Sequence, residues 1–294
     1  MSKPALVLIH GRSQAGKDPE KLKETWISSL REGLGGQAHL LDDVEIRFPF
    51  YGDVLESWVS PGDSVNNGTA RGFASAEYPG YLEFQAEVFT EVLARHGKDA
   101  QALDELVGDA ARDAGPRSPE WVQGLFRLVD RLPGTTGLFI SMVMRDVYLY
   151  LNHAGAQQAV EETVIPAFTG NCVVVAHSLG SVVAYRLLRD ANASTSVPLF
   201  MTIGSPLGIG PIRRAVAPRK FPKVVGSWIN AYDERDDVAL YPLGLGLFSM
   251  DSPTPIIDIG TIDNTTYNHH GIIEYLNKKA IVKEIAQALI SKTS

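Results

Sequence analysis

Short apolar segments rich in β-branched residues alternate with helical patterns along much of this 294-residue chain. This alternation is typical of a parallel sheet whose faces are covered by helices. The sequence predicts strands at Ala5–Ile9, Val44–Phe48, Cys172–Ala176, Leu199–Ile203, Val225–Tyr232 and Ile256–Gly260. It therefore predicts an α/β fold built on a mostly parallel sheet flanked by helices.

The clearest predicted helix lies between the first two strands. Asp18 is suited to cap its N-terminus and Pro19 to occupy its first position. Apolar residues then recur every four positions, at Leu22, Trp26, Leu30 and Leu34, before two glycines end the helix. Further helices are predicted at about Leu138–Leu151, Ala156–Phe168 and Ile272–Leu289.

The strand pattern stops between residues 54 and 135, where only helical patterns are evident. We expect a helical cap or lid at 54–135, inserted into a single domain that spans 1–294. A purely structural extension is the alternative. If the insertion is a cap, its aromatic residues would offer an apolar site: Tyr78, Tyr81, Phe84, Phe89, Trp121 and Phe126.

The strand predicted at Cys172–Ala176 leads into His-Ser-Leu-Gly, and a helical pattern follows at once. In a nucleophile elbow a serine occupies a tight turn between strand and helix, so the residues two before and two after it must be small. Ala176 and Gly180 meet that need on either side of Ser178. Such a turn would direct the N–H of Leu179 toward a developing oxyanion.

This elbow resembles the G-x-S-x-G pattern of lipases and esterases in the α/β-hydrolase superfamily, with alanine in the first position. The resemblance covers roughly residues 3–53 and 136–294. It implies the α/β-hydrolase fold and a triad in the chain order serine, acid, histidine.

The resemblance places the acid after the second strand beyond the elbow and the histidine after the third. The resemblance favours Asp236 as the acid, because in the family the acid stands two residues before an aliphatic residue, here Val238, and Asp233 and Asp237 are the alternatives. His270 is the preferred base, because it precedes the glycine that begins the last helix, and His269 is the alternative. His177 is expected to pack beneath the elbow.

The loop after the first strand reads His-Gly-Arg, where the family often has His-Gly. The resemblance implies that the N–H of Arg12 is the second oxyanion donor, with Ser13 as a substitute. For His10 itself, satisfying a buried hydrogen bond is at least as good an interpretation as a catalytic role.

These residues predict a serine hydrolase that cleaves a carboxylic ester, with lipid esters among the candidate substrates, through an acyl-enzyme. Ser178 would be the nucleophile, His270 the base and Asp236 the residue that orients it. No cofactor and no metal are implied.

The same first loop also matches the phosphate-binding pattern G-x-x-x-x-G-K from Gly11 to Lys17. Asp18 follows where that motif needs serine or threonine, and a carboxylate there would oppose a triphosphate. A nucleotide-binding protein is therefore a weaker alternative. An inactive binding module with the same fold is another. A third is a metal site built from Asp233, Asp236, Asp237, His269 and His270.

The formal net charge of −7 disfavours nucleic acid as a partner. No apolar stretch reaches the length of a membrane-spanning helix, although peripheral membrane contact stays open. The apolar run after Met1 is too short for a signal peptide, and the lone Cys172 lies in an apolar strand, so we expect a cytoplasmic protein.

Overall fold

The computed structural model describes residues 3–12, 14–58, 80–98, 113, 118–192, 194–244, 246, 248, 250 and 254–290. Its centre is a six-stranded sheet in which every neighbouring pair is parallel. The strands are β1 (Ala5–Ile9), β2 (Ile46–Arg47), β3 (Gly170–His177), β4 (Thr195–Ile203), β5 (Val225–Ala231) and β6 (Ile256–Ile259). Their order in the sheet is β2-β1-β3-β4-β5-β6. The predicted α/β fold with a parallel sheet is confirmed.

Helices cover both faces of this sheet. They are α1 (Pro19–Leu34), α2 (Gly52–Glu56), α3 (Tyr81–Arg95), α4 (Pro119–Val129), α5 (Gly137–Asn152), α6 (Ala154–Val164), α7 (Leu179–Arg189), α8 (Gly210–Ala215), α9 (Ile272–Leu276) and α10 (Lys279–Ile290). As predicted, α1 is capped by the Asp18 carboxylate, which accepts the N–H groups of Glu20 and Lys21, and it ends at Gly35.

Each central strand contributes to two separate hydrophobic cores. Val7 of β1 and Val174 of β3 join the core beneath α5 and α7, whereas Leu8 and Val175 join the core beneath α1 and α10. Because successive side chains of a strand point to opposite faces, a sheet covered on both sides requires nearly continuous apolar strands. This is why β1 and β3 read as unbroken apolar runs.

The last predicted helix is interrupted. Instead of one helix over 272–289, α9 ends at Leu276 and α10 begins at Lys279. At this break the backbone of Asn277 lies against Gly33 of α1, where a Cβ would come within 2.8 Å of the Asn277 carbonyl oxygen. The break lets both helices contact α1, and the sequence pattern did not show it.

The strand order places a crevice at a definite point. From β1 the chain moves to β2 on one side, and it later returns to β3 on the other side of β1. In parallel sheets, ligands bind where connections diverge in this way, beyond the carboxyl ends of the two strands. The loops that follow β1 and β3 meet at this point.

The described helices of the 54–135 segment pack on one face of the fold. Tyr81 and Phe84 of α3 each make an edge-to-face contact with Tyr148, and α3 lies against α4, α5 and α8. Tyr81, Phe84 and Phe89 are buried in the hydrophobic core, and Trp121 and Phe126 pack against it. Tyr78 lies outside the described residues. Among the helices of the described ranges, none is long and apolar enough to cross a membrane.

Candidate active site

Ser178 occupies a strained turn between β3 and α7. Its backbone has φ 53° and ψ −127°, a conformation that residues other than glycine rarely adopt. The turn is held by the Ser178 N–H, which donates to the Ile203 carbonyl at 3.0 Å. A Cβ on Gly180 would come within 2.5 Å of the His10 carbonyl oxygen. This clash is the reason that the position requires a residue without a side chain.

Two buried polar atoms at this place have no hydrogen-bond partner within the described part of the chain: the Ser178 hydroxyl oxygen and His270 Nε2. Both residues line a cavity of about 230 Å³. The lining residues are Gly11, Arg12, Gln14, Trp26, Phe139, His177, Ser178, Asn268, His270, Gly271 and Ile272. Because unpartnered buried polar atoms are costly, such a pair marks a place where a reacting group could bind.

The other nitrogen of the His270 ring is paired with Asp236. Nδ1 lies 2.8 Å from Asp236 Oδ2, and both side chains are buried. The N–H of Val238 donates to Asp236 Oδ1 at 2.9 Å, so the second oxygen of this buried side chain also has a hydrogen-bond partner. The pair also needs Gly204 beside it, because a Cβ there would lie 3.1 Å from both Asp236 Oδ2 and His270 Nδ1.

The two alternative aspartates face other partners. Asp233 accepts two hydrogen bonds from the guanidinium of Arg235, at 3.0 and 2.7 Å, and one from the Asn264 N–H. Burial would raise the pKa of Asp233, but these donors outweigh it and lower the pKa. Asp237 lies 2.8 Å from His96 of the segment after α3, and burial raises its pKa.

His269 is oriented by its own contacts rather than by those of His270. Its Nδ1 lies 2.8 Å from the Asn264 carbonyl oxygen, and its φ of 54° makes a sharp backbone turn. Because of this turn, its ring lies beside Gly134 instead of in the cavity. The structure therefore brings together Ser178, His270 and Asp236.

His177 supports His270 from below. Its Nε2 donates to the His270 carbonyl at 2.9 Å, and the two rings lie 4.6 Å apart. Burial, with the neighbouring His270 as a second cause, holds the pKa of His177 well below its ordinary value. The lowered pKa favours the neutral ring of His177, in the tautomer whose Nε2 carries the donated proton.

The loop after β1 approaches Ser178 very closely. A Cβ on Gly11 would meet Ser178 Cβ at 2.9 Å, and Arg12 lines the same cavity. The Arg12 side chain is buried, and its Nε donates to Asp146 at 3.2 Å. Leu179 is the first residue of α7, so its N–H has no intrahelical acceptor. Ser13 lies outside the described residues.

His10 anchors this loop. The N–H of Tyr51 donates to His10 Nε2 at 3.1 Å, so Nδ1 carries the proton and donates to the Gly11 carbonyl at 2.6 Å. The Tyr51 hydroxyl donates to the His10 carbonyl, and the two rings stack. Burial lowers the pKa of His10 to about 4, which keeps the ring neutral.

The phosphate-binding pattern in the same loop is folded onto the protein itself. The N–H of Gly16 donates to the Asp53 carboxylate at 2.6 Å, and Lys17 Nζ donates to Gln14 at 3.0 Å. Asp18 occupies the N-terminus of α1. Carboxylates therefore stand where a phosphate-binding loop would present free donors.

The residues considered for a metal site diverge. Asp233, Asp236 and Asp237 face Arg235, His270 and His96 respectively. Among the described residues, no group of three or more His, Cys, Asp and Glu side chains is arranged to hold a metal ion. The Cys172 thiol is buried in β3, and burial raises its pKa to about 11, as expected for a core thiol.

Sequence reasoning missed two residues that shape this site. Gly204 follows β4 and allows the Asp236–His270 pair to approach. Tyr275 of α9 donates a hydrogen bond to Asp236. The only available signal was position, since Gly204 directly follows a strand beside the elbow and Tyr275 stands five residues after His270.

Comparisons of the chain with protein-family models, with curated proteins and with solved structures return no match. The site combines a hydroxyl in a strained turn with an imidazole that is paired with a buried carboxylate, and both line one cavity. In such an arrangement the imidazole can deprotonate the hydroxyl, which acts as a nucleophile, and can return the proton to a leaving group.

Proposed function

We propose that this chain is a serine hydrolase of the α/β-hydrolase class that cleaves a carboxylic ester. The proposal rests above all on one observation: buried Ser178 Oγ and His270 Nε2 lack partners within the described ranges and line one cavity, while His270 Nδ1 is held by Asp236. Parallel strand order and the position of the elbow at the divergence of β1 and β3 support the same assignment.

In the proposed reaction, Ser178 Oγ attacks the ester carbonyl carbon while His270 Nε2 takes the hydroxyl proton. The tetrahedral intermediate then collapses, the bond to the alcohol oxygen breaks, and His270 gives the proton to the departing alcohol. A water molecule, deprotonated by His270, then attacks the acyl-enzyme. The bond from the acyl carbon to Ser178 Oγ breaks, His270 returns the proton to Oγ, and the carboxylic acid leaves. Asp236 holds the imidazole in the correct tautomer and stabilises the imidazolium that forms twice in each cycle.

Charge on the intermediate's oxygen would be stabilised by backbone N–H groups. Those of Leu179, at the start of α7, and of Arg12, in the loop that closes on Ser178, are the proposed donors. The close approach of Gly11 to Ser178 supports this pairing of loops. The buried ion pair between Arg12 and Asp146 would hold the first loop in place.

We also propose that the 54–135 segment caps the site. The last residues of the segment lead directly to the site. Gly134 lies against His269. Phe139, which follows the segment, lines the cavity and contacts the His270 ring. The described aromatic residues of α3 belong to the core. Any acyl-chain selectivity would therefore depend on the cap's exit segment and on Phe139.

Hydrolysis of chromogenic esters of increasing acyl length tests this function. Wild type should show saturable turnover that Ser178→Ala abolishes. Ser205→Ala is the matched control, because Ser205 is a buried neighbouring serine whose hydroxyl is already bonded to Ser181 at 2.7 Å. Turnover in Ser178→Ala equal to wild type would overturn the proposal.

A further inference from the structure

Tyr275 is a fully buried residue of α9 that no step of the proposed reaction uses. Its hydroxyl oxygen lies 2.9 Å from the backbone nitrogen of Asp233 and 2.9 Å from Asp236 Oδ2. A backbone N–H can only donate and a carboxylate can only accept. The hydroxyl therefore accepts from Asp233 and gives its own proton to Asp236.

The oxygen that receives this proton is the one that also receives His270. Asp236 Oδ2 is bonded to Tyr275 at 2.9 Å and to His270 Nδ1 at 2.8 Å. Among the described residues, the other oxygen, Oδ1, accepts the backbone N–H groups of Val238 and Ala239 and no side-chain donor. Within the described part of the chain, Tyr275 and His270 are thus the side chains that share the negative charge of Asp236.

Two donors on one oxygen compete for its charge. A hydrogen bond to the charged form of a carboxylate stabilises that form and reduces its strength as an acceptor for a second donor. The Tyr275 bond therefore weakens the pull of Asp236 on the His270 proton. It also fixes the loop from Asp233 to Asp236 to the helix that follows His270.

We propose that Tyr275 is a positioning residue that orients Asp236 and limits the basicity of His270 by sharing Asp236 Oδ2. This inference rests on the proposed function, because the base and its acid are those assigned above. Its ligand is the protein's own carboxylate, so the role can be tested without knowing the substrate.

The surroundings keep this hydroxyl in its donor form. Burial, with the charge of Asp236 as a second cause, raises the pKa of Tyr275 far above its ordinary value. Within the described ranges, the other titratable or charged groups facing His270 are His177, whose pKa burial lowers, and Arg12, which lines the same cavity. Neither contacts Asp236 Oδ2 in the described hydrogen bonds, so a change at Tyr275 reports on the shared oxygen.

NMR titration of the His270 ring in Tyr275→Phe tests the proposal directly. Removing one donor leaves more charge on Oδ2, so the titration midpoint of His270 should rise by about half a pH unit. Tyr185→Phe is the matched control, because the buried Tyr185 hydroxyl also accepts a backbone N–H and donates to a backbone oxygen, both of Lys220. An unchanged midpoint in Tyr275→Phe would overturn the proposal.

A second substitution covers the case in which Tyr275→Phe does not fold. Replacing Tyr275 with 3-fluorotyrosine keeps the hydroxyl and makes it a stronger donor, so the His270 midpoint should move down instead of up. A midpoint that stays at the wild-type value would contradict the shared-oxygen role.

Kinetics separate this inference from the proposed function. The rate of Ser178 labelling by a fluorophosphonate should fall toward acidic pH. The midpoint of this acidic limb of the pH profile should shift to higher pH in Tyr275→Phe. Absence of Ser178-dependent labelling in wild type would refute the proposed function, while the NMR titration would still decide the role of Tyr275. If the labelling rate falls in Tyr275→Phe but the acidic limb of its pH profile does not shift, Tyr275 has only a structural role and the proposal is wrong.

Discussion

The loops that follow β1 and β3 lie side by side, and each matches a well-known motif at a strand-to-helix turn. In the first, the polar groups are satisfied within the protein: Gly16 donates to Asp53, Lys17 to Gln14, and Asp18 caps α1. In the second, Ser178 keeps a strained backbone and a hydroxyl without a partner in the described part of the chain. Strain and unsatisfied polar atoms, rather than the motif alone, distinguish a candidate reactive site from a folded support.

The largest expected effect separates the two loops by substitution. Ser178→Ala should reduce ester turnover by about 10⁴-fold or more, because the nucleophile is lost. Lys17→Ala should leave turnover within about twofold, since Lys17 contacts only Gln14 among its described hydrogen bonds. Steady-state kinetics on both variants check this. Tight Mg-ATP binding that Lys17→Ala abolishes would reverse the comparison.

A second contrast lies between two adjacent aspartates. Asp236→Asn should lower kcat/KM by about 10³-fold, because the amide would favour the wrong tautomer of His270. Asp237→Asn should lower it by less than about tenfold, because Asp237 faces His96. The measurement is kcat/KM of both variants on the plateau of the pH profile. A larger loss in Asp237→Asn would move the acid role to that residue.

Substituting glycines in the two loops compares their packing. Gly180→Ala should destabilise the protein by about 3 kcal/mol, because its Cβ would clash with the fixed His10 carbonyl. Gly16→Ala meets nothing within 4 Å and carries only the penalty of a positive φ, about 1 kcal/mol. Urea unfolding gives both values. Equal losses would mean that the elbow is no more tightly packed than the first loop.

The smallest expected effect concerns His10, which supports the first loop as a neutral ring. Its pKa of about 4 lies below the ordinary 6.5, so between these values the unfolded chain binds more protons than the folded one. Stability is therefore lost as pH falls, by about 2 kcal/mol from pH 7 to pH 5 for this residue. Unfolding at the two pH values should show a smaller pH dependence in His10→Gln than in wild type. Identical pH dependence would remove His10 from this role.

Local signals predicted much of the fold. Six apolar runs predicted six strands, and Asp18, Pro19 and Gly35 predicted the ends of α1, because caps and strand patterns are properties of short segments. The break between α9 and α10 was not predictable, because it depends on the contact of Asn277 with Gly33 of a distant helix. Boundaries set by tertiary contacts leave no local pattern.

The candidate site divides in the same way. Ser178 was recognisable because the turn around it restricts its neighbours within two residues. The choice among Asp233, Asp236 and Asp237 depended on a resemblance, because three carboxylates within one loop differ only in their partners across space. Tyr275 was invisible for the same reason, since a buried tyrosine in a helix reads as core.

Mass mapping of the adduct formed with a fluorophosphonate tests the central claim most directly. Such a reagent reacts covalently with an activated serine hydroxyl, so the account predicts a single modification, on Ser178. His270→Gln should suppress that modification without unfolding the protein. An adduct on another residue, or none on native protein under conditions that label a known serine esterase, would contradict the account.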